Sequence, residues 1–94
     1  MLLDKFKDMS PKEIAEYFRK EGVKGIKNST DRCPVASYIL SKAGSEAEYA
    51  STHWASTSVW YSENQRVEVA HPGSIKAFVM LFDAGQFPFL ERGY

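Results

Sequence analysis

Cys33, His53 and His71 are the side chains with the chemistry to attack a substrate, shuttle a proton or hold a soft metal. Cys33 is the only cysteine and stands directly before Pro34 in the stretch "DRCPVASYIL". A residue preceding proline avoids helical geometry, so Pro34 is expected at the first position of a helix and Cys33 at its cap. A thiolate there would face the positive end of the helix dipole, which lowers its pKa and favours nucleophilic attack. A thiol enzyme needs a base and an oxyanion site as well. His53 and His71 are the only candidates for a histidine base, and neither stands in a recognisable catalytic motif. Cys33 therefore reads first as a small buried residue where a helix meets the core, with catalysis by its thiol as the lesser alternative.

A metal site would have to gather Cys33, both histidines and a carboxylate from three segments, with no second cysteine and no helical H-x-x-x-H pair. No metal or cofactor is expected. Gly22 and Gly25 punctuate a turn, and neither G-x-G-x-x-G nor G-x-x-x-x-G-K occurs. His71 precedes Pro72 and is expected to help cap the last helix, and His53 in "THWAS" reads as a half-exposed strand residue. Asp83 in "FDAG" falls near a helix C-terminus, where the dipole disfavours a carboxylate. It calls for a turn amide or an Arg as partner, and a clamp on the Ala-Gly-Gln turn is the expected one.

The elements that must position these residues are legible along the chain. "MSPKEIAEYFRKEG" carries Ser10 as cap, Pro11 at the first helical position and Glu13 to complete a capping box. Met9 and Ile14 occupy the positions of a hydrophobic staple. Ile14, Tyr17 and Phe18 form one stripe, and Gly22 ends the helix. Leu2, Leu3 and Phe6 are expected to add a short turn upstream. A second helix is predicted over 34–43, with Val35, Tyr38, Ile39 and Leu40 as its apolar positions and Gly44 as its stop. The middle of the chain favours strands. "TSVWY" and "RVEVA" flank the polar loop "SENQ", and a preceding strand within 46–53 completes a three-stranded antiparallel sheet.

The hairpin register stays open. One reading sets Tyr61 opposite Val67 and Val59 opposite Val69, with those four inward and Trp60 outward. The other sets Tyr61 opposite Arg66 and Trp60 opposite Val67, with Trp60 in the core. A one-residue slip flips the whole strand. The last helix, "PGSIKAFVMLFDAG", starts at Pro72 or Ser74 and stops at Gly85. Ile75, Phe78, Val79 and Phe82 make a stripe that Met80 and Leu81 widen nearly all round. Pro88 restricts Phe87 to extended geometry, so the tail "QFPFLERGY" is expected to run back across the domain.

The fold class is thus α+β, ordered α-α-β-β-β-α, with helices packed on a three-stranded antiparallel sheet in a single domain. The 94 residues and 44% hydrophobic content suit one core without staples. One cysteine allows no intrachain disulfide, which fits a reducing cytoplasm. "MLLDKFKDMS" is too short and too charged for a signal peptide, and no run is apolar enough for a membrane span. Residues 1–44 carry nine Lys and Arg against six Asp and Glu, and residues 45–94 carry three against six. That mild dipole around zero net charge does not make a nucleic-acid protein.

"CPVASYIL" opening a helix and "IKAFVMLFDAGQFPFL" closing the chain resemble small actinobacterial and actinophage proteins of unknown function. Those carry a Cys-Pro-hydrophobic-Ala-x-Tyr-Leu helix, a short β segment, and a helix ending in Phe-Asp-Ala-Gly-x-Phe/Tyr-Pro. Ile39 follows Tyr38 here where leucine is commoner. The resemblance implies a small intracellular protein, phage-borne in some cases, and carries over no activity.

Aromatics supply the remaining clue. They make up 14% of the chain and crowd the sheet and the tail. Trp54, Trp60, Phe87, Phe89 and Tyr94 are the candidate protein-contact residues, because exposed aromatics are enriched at interfaces. The leading expectation is a non-enzymatic regulatory protein that binds another protein or a second copy of itself. The alternative is a small DNA-associated regulator using the basic cluster Arg19, Lys20, Lys24, Lys27 and Arg32, which Glu21 and Asp31 interrupt.

Overall fold

A computed structural model gives the structure of residues 3–44, 46–61 and 65–92. Helix α1 spans Pro11–Glu21 and opens as its sequence dictates. The Glu13 amide donates to the Ser10 hydroxyl, and the Ser10 amide donates to the Glu13 carboxylate. Two otherwise unpaired amides of the first turn are satisfied by this exchange. Gly22 closes the helix at φ +75°, a left-handed conformation that a side chain would resist. Upstream, Asp4–Phe6 forms a 3-10 turn that buries Leu3 and Phe6. Helix α2 spans Pro34–Lys42 and helix α3 spans Gly73–Asp83, capped by Pro72.

The sheet has the order β1 (Ala47–Thr52), β2 (Ser56–Tyr61), β3 (Arg66–Ala70), antiparallel throughout. With the helices this makes the α+β order α-α-β-β-β-α. Helix α2 covers the sheet across β1 and β2, while α3 packs along α1. Side chains alternate across a strand, and directly opposed residues share a face. Ala50, Thr52, Thr57, Val59 and Val69 are buried on the helix side. Tyr49 and Trp60 meet on the other side with ring centroids 5.2 Å apart.

Neither register read from the sequence occurs. Trp60 stands opposite Arg66, Val59 opposite Val67 and Thr57 opposite Val69. The Tyr61 amide donates to the Gln65 carbonyl at 2.8 Å, so Gln65 belongs to the ladder rather than to the loop. Ser62, Glu63 and Asn64, the rest of that loop, lie outside the described residues. The facing is that of the first reading, with Val59 in and Trp60 out. Val67, however, sits at the sheet edge and remains 51% exposed.

The core runs from Phe6 through Phe18 to Phe78, each fully buried, with successive ring centroids 5.5 and 5.3 Å apart. Phe82 stacks on Phe78 from within α3, and Phe87 stacks on it from the tail at 5.4 Å. The tail returns across the domain as its proline suggested. Its 3-10 turn, Pro88–Leu90, leads into a parallel bridge between Glu91 and Gly25. There the Gly25 amide donates to Leu90 at 2.8 Å and the Arg92 amide to Gly25 at 3.0 Å.

Candidate functional site

The β1–β2 connection is tight. The His53 amide donates to the Ser56 carbonyl at 2.8 Å, leaving Trp54 and Ala55 at the tip. A tip position cannot bury an indole, and Trp54 is 59% exposed. Met80, on the side of α3 away from α1's stripe, is exposed to the same degree. Both line a groove of about 400 Å³, together with Val79, Asp83, His53 and the Asn28–Thr30 loop, with Cys33 among its lining residues. The loop is pinned from across the chain, because the Asn28 amide donates to Asp83 at 2.9 Å. Asp83 thus takes a turn amide as expected, but of a turn 55 residues away rather than its own Ala-Gly-Gln turn.

Cys33 caps α2 in extended geometry, and its Sγ accepts the Ala36 amide at 3.4 Å. The side chain is buried, and burial pushes the thiol's pKa up. The Thr52 hydroxyl and the amides of Ala36 and Val35 pull the other way without prevailing, and the carboxylate of Asp83 adds to the rise. At neutral pH the group is a protonated thiol, a poor nucleophile. The lowering expected from the helix dipole is therefore outweighed by desolvation.

His71 does not cap α3, contrary to the sequence expectation. Its imidazole turns into the sheet instead, where Nδ1 lies 3.2 Å from the Trp54 carbonyl and Nε2 lies 2.7 Å from the Thr57 hydroxyl. A carbonyl only accepts, so Nδ1 carries the proton and the Thr57 hydroxyl donates to Nε2. Thr57 in turn accepts from Thr52, 3.0 Å away. The chain of hydroxyls anchors the hairpin tip, Trp54 included, to the sheet interior. Sequence reading missed it, because Thr52 and Thr57 become neighbours only through the strand register.

Burial lowers the pKa of His71 below its ordinary value, and the charges of Lys76 and His53 push the same way against a raising contribution from the Trp54 carbonyl. The unfolded chain takes up this proton near pH 6.5 while the folded chain resists it. The stabilisation is present above that pH and is lost as pH falls through the folded value. The urea midpoint should therefore drop between pH 7.5 and 5.5, and His71→Gln should flatten that slope. Glu16 and Glu68 titrate below the ordinary carboxylate range, outside this window. An unchanged slope in the variant would remove His71 as its source.

Of the remaining candidates, Phe87 and Phe89 come together, lining a second groove of about 460 Å³ beside Leu81, and the other described ones do not. Trp60 is half-buried on the outer sheet face, against Tyr49. Phe87 is buried at 8% exposure and serves the chain's own core, and half-buried Phe89 meets it edge-on at 6.3 Å. Tyr94 lies outside the described residues. Of the basic cluster, Arg19 pairs with Glu16 on α1 and Lys27 lies 3.6 Å from Glu91, while Lys20, Lys24 and Arg32 are exposed. Among the described residues no group of three or more His, Cys, Asp or Glu side chains could hold a metal ion. No described helix is long and apolar enough to cross a membrane. No protein-family model, curated protein or solved structure matches the chain.

Proposed function

We propose that this chain is a non-enzymatic intracellular interaction protein that binds another protein through the groove between Trp54 and Met80. The observation that carries this reading is the pairing of two large apolar side chains, each 59% exposed, at the rim of one concavity. An exposed indole is a typical binding anchor, and a flexible thioether adapts to whatever surface it meets. The Asp83 carboxylate is the one acidic group among the described lining residues, and none of them is Lys or Arg. The Lys76 ammonium stands 6.0 Å from the centroid of the Trp54 ring, so the rim is mixed in charge and the partner chemistry that fits is an apolar side chain. The buried, protonated thiol of Cys33 supports a structural role for it below the groove.

Affinity capture from the native source, with the intact chain beside a Trp54→Ser/Met80→Ser variant, tests the reading. Both positions are exposed, so the variant should keep the fold. A partner retained by the intact chain and lost by the variant is expected. Its addition should shift NMR signals of residues 28–30, 53–54 and 79–83. A partner held equally by both forms, or one that perturbs another face, would overturn the assignment.

A further inference from the structure

We propose that the free edge of β3 pairs with β3 of a second copy, in one register centred on Val67. This surface is separate from the groove and does not depend on it.

The two edges of the sheet are treated differently. The β1 edge is broken by an irregularity between Ala47 and Tyr49, and its Thr52 amide is taken by the Thr30 carbonyl at 2.6 Å. Strand β3 carries no bulge and no proline, and among the described residues nothing but β2 pairs with its backbone. An open regular edge is a template for another strand.

The direction of each backbone group follows from the ladder. The Tyr61 amide donates to Gln65 and the His71 amide to Ala55, at opposite ends of the same register. Antiparallel ladders alternate between hydrogen-bonded and non-hydrogen-bonded pairs. Gln65, Val67, Val69 and His71 therefore turn their backbone groups to β2. Arg66, Glu68 and Ala70 turn theirs outward.

Two-fold registers centred on Val69 or Ala70 bring Pro72, which has no amide to donate, opposite an outward-facing residue, and three others can be compared. Centring on Arg66 sets arginine against arginine, and centring on Glu68 sets glutamate against glutamate. Centring on Val67 sets Arg66 opposite Glu68 of the second copy, twice, with the outward backbone groups of both residues in hydrogen-bonded pairs. Val67 then meets its own copy at a non-hydrogen-bonded pair, where side chains approach closest. This register accounts for an exposed valine on the core face of the sheet. It also gives an intermolecular partner to Arg66, 3.5 Å from Glu68 along its own strand, and to Glu68, whose carboxylate is held in place by the Ser56 and Ser58 hydroxyls at 2.8 and 2.6 Å. The contact is isologous, as a two-fold dimer requires.

Sedimentation equilibrium over a concentration series, at low and high salt, reads the association. The intact chain should move from monomer to dimer with rising concentration, and less so at high salt. Arg66→Glu alone and Glu68→Arg alone each oppose like charges and should weaken association about tenfold or more. The double exchange restores opposite pairing and should return it to near the starting value. Hydrogen exchange should show the amides of Arg66 and Glu68 gaining protection with concentration, while those of Val67 and Val69 are protected throughout. A monomer at every concentration would overturn the proposal. So would a dimer indifferent to both charge reversals, or one whose added protection maps to β1.

Discussion

Phe78→Ala should destabilise the protein by about 3–5 kcal/mol, the range for deleting a fully buried phenylalanine ring. Phe78 has no exposed surface and touches rings from three separate segments: Phe18 on α1, Phe82 on its own helix and Phe87 in the tail. Those neighbours belong to elements fixed by other contacts, so they cannot all close over the space left behind. A domain of this size has a total stability of about 5–14 kcal/mol, so much of the margin disappears. The melting temperature should fall by roughly 20 °C. Met80→Ala, two residues along the same helix but 59% exposed, is the control and should cost less than about 0.5 kcal/mol. Equal effects at the two positions would mean that α3 does not present the face described.

Gly25→Ala should be the other severe change, by overcrowding rather than by a void. A Cβ built at Gly25 would stand 2.5 Å from the Pro34 nitrogen and 2.6 Å from both the Arg32 carbonyl oxygen and Pro34 Cδ. Two of these are backbone atoms and the third belongs to a closed ring, so none can rotate away. Relief requires the backbone to separate, which costs about 1–3 kcal/mol. The same shift breaks the bridge to Leu90 and Arg92, whose hydrogen bonds both end on Gly25. Denaturant unfolding measures the loss, and faster exchange of the Arg92 amide locates it. Gly22→Ala differs in kind, because there is open space around that position and only the left-handed backbone resists substitution.

The parts of the fold that were legible in the sequence are those written in neighbouring residues. Ser10, Pro11, Glu13 and Gly22 specify both ends of α1 from within or beside it, and each plays its expected part. Cys33 before Pro34 likewise fixed the start of α2. Register was not legible, because both faces of the hairpin carry large apolar residues. Val59 and Tyr61 alternate with Trp60, so burial pattern alone could not choose a face, and Gln65 joining the ladder moved the pairing from either reading. Asp83 and His71 defeated local reasoning for another reason. Each passes over the turn or helix beside it for a partner brought close only by the finished fold. For the candidate site, Trp54 and Phe87 were singled out alike as contact residues, and the structure exposes the first and buries the second in the chain's own core. Composition counts surplus aromatics but cannot say which one the core will need, and the face of Phe78 opposite α1 needed Phe87.

The tie between the tail and the Gly25 loop bears on how the chain is made. Ribosomes release a protein from its N-terminus, so Phe6, Phe18 and the amphipathic α1 emerge early. The hairpin strands contact their neighbours in sequence and can pair as they appear. The ring of Phe78, the Asp83 clamp on Asn28 and the Glu91 bridge beside Gly25 all arrive last. Until residues 87–92 have cleared the exit tunnel, the nascent chain displays an incomplete aromatic cluster to solvent or to a chaperone. A pause in translation that holds residues 87–92 inside the tunnel would prolong that exposure.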